Sequence, residues 1–390
     1  MPLTPRARSA GARANDDRIL DAALREIASA GIDRLRMNAT AARAALTTGA
    51  LYGRYESAAE LAVDVWQRRL AAHHRRLLDG LVAHLVDRSD GHEVFASAMR
   101  RLRRPDPADL ATVELLLAAR RVDELGEVIT EQVAGWFDEW GAGPAGDERR
   151  RADVTSMVGL YWGASVFALP GSRAHDWATA FVRLAPARDR RPAPSGRVRA
   201  ARLRPPAAAT GEPLRDALID ATATVIARSG VERATVSRIA RRAGMTDGAV
   251  YTRYASKDLL VADAVDVLLA AVVGADAEAL ARAMVAGDVV EAAAGIAAGG
   301  LAEPRAAWRR FRLEAYLGSR HHPQIRTVLR RRNAANIAGY RAVLGDRAEP
   351  FGATGQALPI GLSVVQLFQP DLAAVDFRTV LATQVEVLSG

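Results

Sequence analysis

Two stretches of the chain carry hydroxyl, basic and phenolic side chains in the same order, and groups of this kind bind phosphate. In the later stretch, Thr235 and Thr246 stand at the predicted starts of two short helices. Tyr251, Arg253 and Lys257 follow them. Hydroxyls and free N–H groups at helix N-termini meet phosphate oxygens, and basic and tyrosine side chains contact a nucleic-acid backbone. Side chains of these types have the chemistry to contact phosphate groups.

No motif for bond-breaking chemistry accompanies these stretches. The chain has no cysteine, which excludes disulfides, thiolate metal sites and thiol nucleophiles. Residues 141–146 match G-x-G-x-x-G, but an amphipathic run precedes them where a dinucleotide site needs a strand. The histidine pairs 73–74 and 321–322 are adjacent in sequence, so their side chains point in different directions on a helix. We predict a protein that is not an enzyme and has no cofactor or metal.

The two stretches belong to a duplication that covers most of the chain. The segment starting at Asp21 aligns without a gap with the segment starting at Asp220, at an offset of 199 residues. Further on, the segment from Glu114 aligns with that from Glu314, at an offset of 200. Residues 186–212, rich in proline, arginine and alanine, separate the halves and are predicted to form a linker.

Each half of the duplication predicts helices. Apolar or small residues recur at i, i+3, i+4 and i+7 from Leu20 and again from Ile219, as on one face of a helix. In the second half, a helix capped by Thr235 and a short helix capped by Thr246 are joined by a turn at Gly244. Two such helices form a helix-turn-helix, whose second helix enters the major groove of DNA.

The run TVSRIARRAGMTDGAVYTRYASKDLL from Thr235 resembles the DNA-binding signature of the TetR family of bacterial transcriptional regulators. The first half resembles it more loosely. The resemblance implies an all-α fold of two fused units, each with a three-helix head, a linking fourth helix and an all-helical C-terminal ligand and dimerisation domain. The predicted boundaries are a basic disordered arm (1–15), a first head (16–72, degenerate motif 36–55), a first C-terminal domain (73–185), the linker (186–212), a second head (213–271, motif 235–254) and a second C-terminal domain (272–390).

The resemblance also implies which residues meet DNA. Tyr251 would contact phosphate or a thymine methyl, unless it packs in the core, and Tyr254 would pack in the core of the head. The implied DNA-binding residues are Thr235, Thr246, Asp247, Gly248, Tyr251, Thr252, Arg253 and Lys257 in the second head, and Thr47, Thr48, Gly49, Tyr52 and Arg54 in the first.

The first head departs from the pattern at several positions. Thr40 replaces the apolar Ile239, and burying its hydroxyl costs about 1–3 kcal/mol unless the hydroxyl is paired. Three further positions differ: Arg36 replaces Thr235, Ala45 replaces Gly244, and Ala58 replaces Lys257. We therefore expect two unequal heads, the second binding DNA more tightly and the pair reading an imperfectly palindromic operator.

The charge distribution adds candidate arms to these heads. The formal net charge is +8, and the surplus lies in residues 1–15 and 186–212, which are either polyanion-binding arms or solvated segments. No apolar run is long enough to span a bilayer and the N-terminus has no secretory h-region, so we expect a cytoplasmic protein.

The C-terminal domains supply the other expected partners. Aromatic side chains such as Trp136, Tyr161 and Trp308 either line a pocket for a small hydrophobic effector or form the core. Apolar closing helices near 154–169 and 174–184, and near 356–368 and 375–388, would pair the two units within one chain, although a dimer of chains with four heads is the rival arrangement. We predict an effector-responsive repressor acting on double-stranded DNA. The alternative is a ligand- or protein-binding module with weakened DNA readout.

Overall fold

The computed structural model describes residues 10–171, 175–185, 198–286, 289–344 and 348–382, and within these ranges the chain forms helices and no strand. The expected all-α fold is confirmed. The helices of the first half are α1 (Ala10–Ala30), α2 (Met37–Arg43), α3 (Thr48–Tyr52), α4 (Ala58–Val65), α5 (Ala71–Leu85), α6 (His92–Arg103), α7 (Pro107–Ala118), α8 (Asp123–Glu139), α9 (Glu148–Ala168) and α10 (Trp177–Leu184). Those of the second half are α11 (Pro213–Arg233), α12 (Val236–Arg242), α13 (Asp247–Tyr251), α14 (Lys257–Ala286), α15 (Val289–Leu301), α16 (Ala306–Gly318), α17 (Pro323–Leu344) and α18 (Ala348–Val365).

The chain divides into two compact units that differ from the predicted domains. The first unit contains the residues up to Arg76 together with Arg104–Thr130, so α7 packs with the first head. The second contains Leu77–Arg103 and the chain from Glu131 onward. The second head and the last helices of both halves therefore share one unit. Among the described residues, no helix is long and apolar enough to cross a membrane.

The first head is built around α1, which packs on α2, α4 and α7. Ile19, Leu20 and Ile27 are fully buried on one face of α1, as their helical spacing predicts. Helix α1 begins at Ala10, within the predicted arm, because residues 10–14 contain three alanines, the strongest helix formers. Residues 1–9 of that arm lie outside the described residues.

A helical segment crosses the predicted boundary between residues 72 and 73. Helix α4 continues through a π-helical turn at Trp66–Leu70 into α5. Trp66 and Leu70 of this turn are buried. The end of the head is therefore connected to α5 by continuous helix, with no loop between them.

The turn of the first helix-turn-helix is strained. Ala45 has φ 54°, whereas Gly244 occupies the equivalent position of the second head with φ 71°. Only glycine adopts this left-handed region without steric cost, and other residues lose about 1–2 kcal/mol there.

Ala45→Gly is therefore expected to stabilise the first unit by about 0.5–1 kcal/mol, since relief of the strain outweighs the added chain entropy. Gly244→Ala is the converse change and is expected to destabilise the second head. Urea unfolding monitored by circular dichroism measures both changes. A loss of stability in Ala45→Gly would contradict the assignment of strain to this turn.

In the second unit, α9 and α18 pack against each other along their lengths. Nearly every residue of α9 from Arg151 to Phe167 is buried, so this helix is covered on all sides. Gly159 and Gly163 of α9 face Gly361 of α18. A Cβ at Gly361 would lie 1.6 Å from the carbonyl oxygen of Gly159. The two backbones are thus in direct contact, and the predicted closing runs 154–169 and 356–368 meet at this crossing.

The other two predicted closing helices are shorter than expected where the structure describes them. In the first half, α10 covers Trp177–Leu184, and residue 174 lies outside the described residues. In the second half, a 3₁₀ turn at Pro370–Ala374 precedes helical residues at 378–382, and residues 383–388 lie outside the described residues.

The second part of the predicted linker is packed against α15. Ala201 N donates to Gly295 O at 2.8 Å, and a Cβ at Gly299 would lie 2.2 Å from Ala201 O. Arg305 Nε donates to Arg204 O at 3.1 Å. Glycines of α15 leave room for the segment, so residues 198–212 follow a defined path. Residues 186–197 lie outside the described residues.

Candidate nucleic-acid interface

Two threonines shape the helix-turn-helix of the second head. Thr235 Oγ1 accepts a hydrogen bond from Arg238 N at 3.3 Å and so caps α12. Thr246 Oγ1 accepts from Ala249 N at 3.3 Å and so caps α13. Each cap satisfies one free donor at the start of its helix. The N-termini of both helices stay exposed to solvent.

The first turn of α13 presents an uncovered surface. Tyr251 is 55% exposed, which excludes the alternative that it packs in the core, whereas Tyr254 is buried and donates to Asp263 at 2.6 Å. Gly248 is exposed, and a Cβ there would meet only Thr246 Oγ1, at 3.8 Å. Because Gly248 has no side chain and open space around it, the backbone of another molecule can approach closely beside the exposed phenol of Tyr251.

The remaining polar groups of α13 are oriented by neighbours. Ser237 Oγ donates to the Asp247 carboxylate, which fixes α12 against the start of α13. Thr252 Oγ1 donates to Ala249 O at 2.8 Å and remains exposed. The Asp247 carboxylate is exposed on this face.

The two cations expected to bind phosphate are both engaged within the head. Arg253 forms an ion pair with Glu212, and its hydrogen bond lowers the pKa of that carboxyl. Lys257 is half-buried and donates to Val231 O at 2.9 Å and to Ala234 O at 3.2 Å. Arg253 is at the surface, and its carboxylate partner Glu212 is itself exposed. Lys257 instead satisfies carbonyl groups at the end of α11.

The first head repeats the same surface. Thr47 caps α3 by accepting from Ala50 N at 3.2 Å, Tyr52 is 57% exposed, and Gly49 has no atom within 4 Å of an added Cβ. Thr48 is exposed beside them. Arg54 Nε donates to the buried Asp16 at 2.7 Å, a partner on α1 that the motif alone does not indicate.

A buried carboxylate compensates for two of the departures in the first head. Thr40 is fully buried, and its hydroxyl donates to Glu26 Oε2 at 2.8 Å. Glu26 Oε1 accepts from Arg36 N at 2.9 Å, at a helix start that has no side-chain cap. The equivalents of Glu26 and Thr40 in the second head are the buried Val225 and Ile239. The first head thus replaces an apolar contact with a polar network that the sequence analysis missed.

Both heads are anchored at equivalent acidic residues. In the first unit, Asp33 pairs with Arg121 at 2.5 Å, and both side chains are under 8% exposed. In the second unit, Glu232 aligns with Asp33, and its partner is His322, which directly follows the residue aligned with Arg121. The ring nitrogens of His322 lie 2.9 Å from Glu232 and 3.0 Å from Asp258. The permanent cation of the first unit is thus replaced by a titratable one in the second.

The anchor of the second head is expected to weaken as pH rises. The hydrogen bond to Glu232, followed by that to Asp258, raises the pKa of His322 above its usual 6.5. A group with a raised pKa in the folded state contributes stability below its unfolded pKa and loses it as pH rises through the folded value. His322→Gln should flatten the fall in the melting temperature of the second unit above pH 6.5, measured by circular dichroism at a series of pH values. Parallel profiles in both proteins would contradict this role.

The charges of the two heads are nearly the same over the bounds 16–72 and 213–271. The first head contains eight basic and eight acidic side chains, and the second contains eight basic and seven acidic ones.

Comparison with known proteins finds a match of each head to the same family model. The model of "Bacterial regulatory proteins, tetR family" matches residues 19–65 and 218–264. A crystal structure of a transcriptional regulator from Rhodococcus sp. Rha1 is similar at 26% identity, with a TM-score of 0.37, over 47% of this chain and 97% of that one. The comparison with curated proteins finds no match.

Proposed function

We propose that this chain, whose two heads both belong to the tetR family of bacterial regulatory proteins, is a sequence-specific DNA-binding repressor that responds to a small molecule. The observation that carries the proposal is the repeated recognition surface. At equivalent positions, each head combines a capping threonine, an uncovered glycine and a tyrosine that is more than half exposed. A tyrosine exposed beside the start of a recognition helix is placed to contact DNA, which is the partner that this motif fits.

We further propose that the second head binds DNA more tightly than the first. Its turn has the glycine that the first head lacks, and Thr235 caps α12 where the equivalent helix α2 of the first head has no side-chain cap. These differences favour an operator with unequal half-sites, because operator symmetry mirrors protein symmetry.

The contact between α9 and α18 supports pairing of the two halves within one chain. These helices come from the closing segments of different halves, and their backbones touch. A crossing of this closeness leaves no room for a second copy at the same surface. A mass measurement in solution tests this, since a four-headed dimer of chains would have twice the mass of 41.7 kDa.

The test of function is fluorescence anisotropy with duplex DNA from immediately upstream of the gene and with a scrambled duplex, across a salt series. Tight binding to the upstream duplex with a shallower salt slope is expected, since base readout adds contacts that salt does not screen. Equal affinity for both duplexes, with an equally steep dependence on salt, would instead favour the alternative of a ligand- or protein-binding module.

Matched tyrosine variants then compare the heads. Tyr251→Ala is expected to weaken specific binding about tenfold or more, as for the loss of one contact of about 1–3 kcal/mol, and Tyr52→Ala to weaken it less. Val182→Ala, at a residue of α10 that is 54% exposed, is the control and should leave the affinity unchanged. Equal losses in the two tyrosine variants would contradict unequal heads.

A further inference from the structure

An arginine-lined cleft lies between α11 and α12 of the second head. Its volume is about 330 Å³, and it opens to solvent. The lining residues are Thr224, Val225, Arg228, Arg238, Arg241 and Arg242. Val225 is buried and forms an apolar floor, whereas all four arginines are exposed. Four guanidinium groups around one small cleft make a locally positive site.

No internal carboxylate neutralises this site within the described part of the chain. Arg238 donates to the carbonyl oxygen of Arg233 at 3.2 Å, and none of the four arginines pairs with an acid. The acidic side chains of the head are engaged elsewhere: Asp220 with Ala208 N, Asp247 with Ser237, Asp263 with Arg215, and Glu232 and Asp258 with His322. An anion bound from outside would therefore offset the mutual repulsion of the four arginines.

The cluster is not a consequence of the fold, because the first head lacks it. Of the four arginines, only Arg242 has an arginine counterpart, Arg43. The positions equivalent to Arg228, Arg238 and Arg241 hold Ser29, Ala39 and Ala42. In place of the apolar floor residue, the first head has the buried carboxylate of Glu26. The two heads share one fold but differ in charge at this cleft. The charges favour binding of an anion in the second head and not in the first.

The lining of the cleft includes no residue of α13. On α12, Ser237 faces the start of α13, to which it is hydrogen-bonded. Arg238 lies about 100° and Arg242 about 140° round the helix from Ser237, whereas Arg241 lies only about 40° from it, since successive residues turn by about 100°. An anion in the cleft would therefore contact residues of α11 and α12, and none of its lining residues belongs to α13, which holds Gly248 and Tyr251.

We propose that the α11–α12 cleft of the second head is a phosphate-binding site. Guanidinium forks bind phosphate oxygens in pairs, and several arginines together suit a group with more than one negative charge. The phosphate comes either from the backbone of bound DNA, in which case the inference rests on the proposed function, or from a free phosphorylated molecule.

Isothermal titration of the full chain with sodium tripolyphosphate tests the site directly. Three proteins are compared: the wild type, the cleft variant Arg241→Gln/Arg242→Gln, and the control variant Arg100→Gln/Arg310→Gln. The control changes two exposed arginines outside the cleft and loses the same charge. For a free phosphorylated ligand, the cleft variant is expected to bind at least about tenfold more weakly, and the control within about twofold of the wild type. Circular dichroism melting shows that all three fold.

The salt dependence of binding to a random-sequence duplex identifies the DNA source. If the cleft holds backbone phosphates, the slope of log K against log salt falls by about 2 in the cleft variant, near 0.9 for each lost phosphate, and by less in the control. The proposal is overturned if the cleft and control variants behave alike with both tripolyphosphate and DNA. This outcome is separate from failure of the proposed function, which is judged by specific binding and its loss in Tyr251→Ala.

Discussion

Gly361→Ala is expected to disrupt the packing of α18 on α9. The added Cβ would lie 1.6 Å from Gly159 O and 2.5 Å from the carbonyl carbon of Gly159, and both are backbone atoms that no rotamer change can move. The reciprocal site is equally tight, since a Cβ at Gly163 would lie 1.9 Å from Ala357 O. The helices must separate to admit the methyl group, which leaves gaps along the whole buried length of α9.

The expected loss is about 3 kcal/mol or more, at the upper end of overpacking effects. Gly135→Ala in α8 is the matched control, because no atom lies within 4 Å of a Cβ there. Alanine is the better helix former, so this change should stabilise the protein by about 0.5–1 kcal/mol. Urea unfolding measures both variants, and equal effects would show that the two backbones are not in contact.

The second large effect is expected at the buried network of the first head. Thr40→Ile should destabilise the first unit by about 2–3 kcal/mol, because Glu26 Oε2 loses its hydroxyl partner while staying buried. Glu26→Val alone should cost a similar amount, since Thr40 and Arg36 N then lose their acceptor.

The double variant Glu26→Val/Thr40→Ile copies the residues of the second head, Val225 and Ile239. It should recover much of the stability, since both buried polar groups are removed together. Adding Arg36→Thr restores the cap that Thr235 supplies in the second head. A double-mutant cycle on urea unfolding should give a coupling of about 1–3 kcal/mol. Additive losses would show that Glu26 and Thr40 do not act as a pair.

Features that depend on local spacing could be predicted from the amino-acid sequence. Helical periodicity predicts the all-α fold, and capping threonines predict the starts of α12 and α13 at Thr235 and Thr246. The duplication predicts that Tyr52 and Tyr251 occupy equivalent places, and their exposures of 57% and 55% agree with this. Such signals lie within a few residues of one another, where backbone hydrogen bonding and side-chain periodicity decide the outcome.

Contacts between distant groups required the three-dimensional structure. Lys257 is expected at phosphate from the motif, yet its ammonium group lies on carbonyls of α11. The role of Glu26 could not be predicted from the sequence, because a single acidic residue on an apolar helix face does not indicate which residue it pairs with. The structure shows that its partner is Thr40. The closeness of α9 and α18 at Gly163 and Gly361 likewise depends on which helix faces are brought together. These contacts join residues far apart in sequence, and no local pattern records the geometry that pairs them.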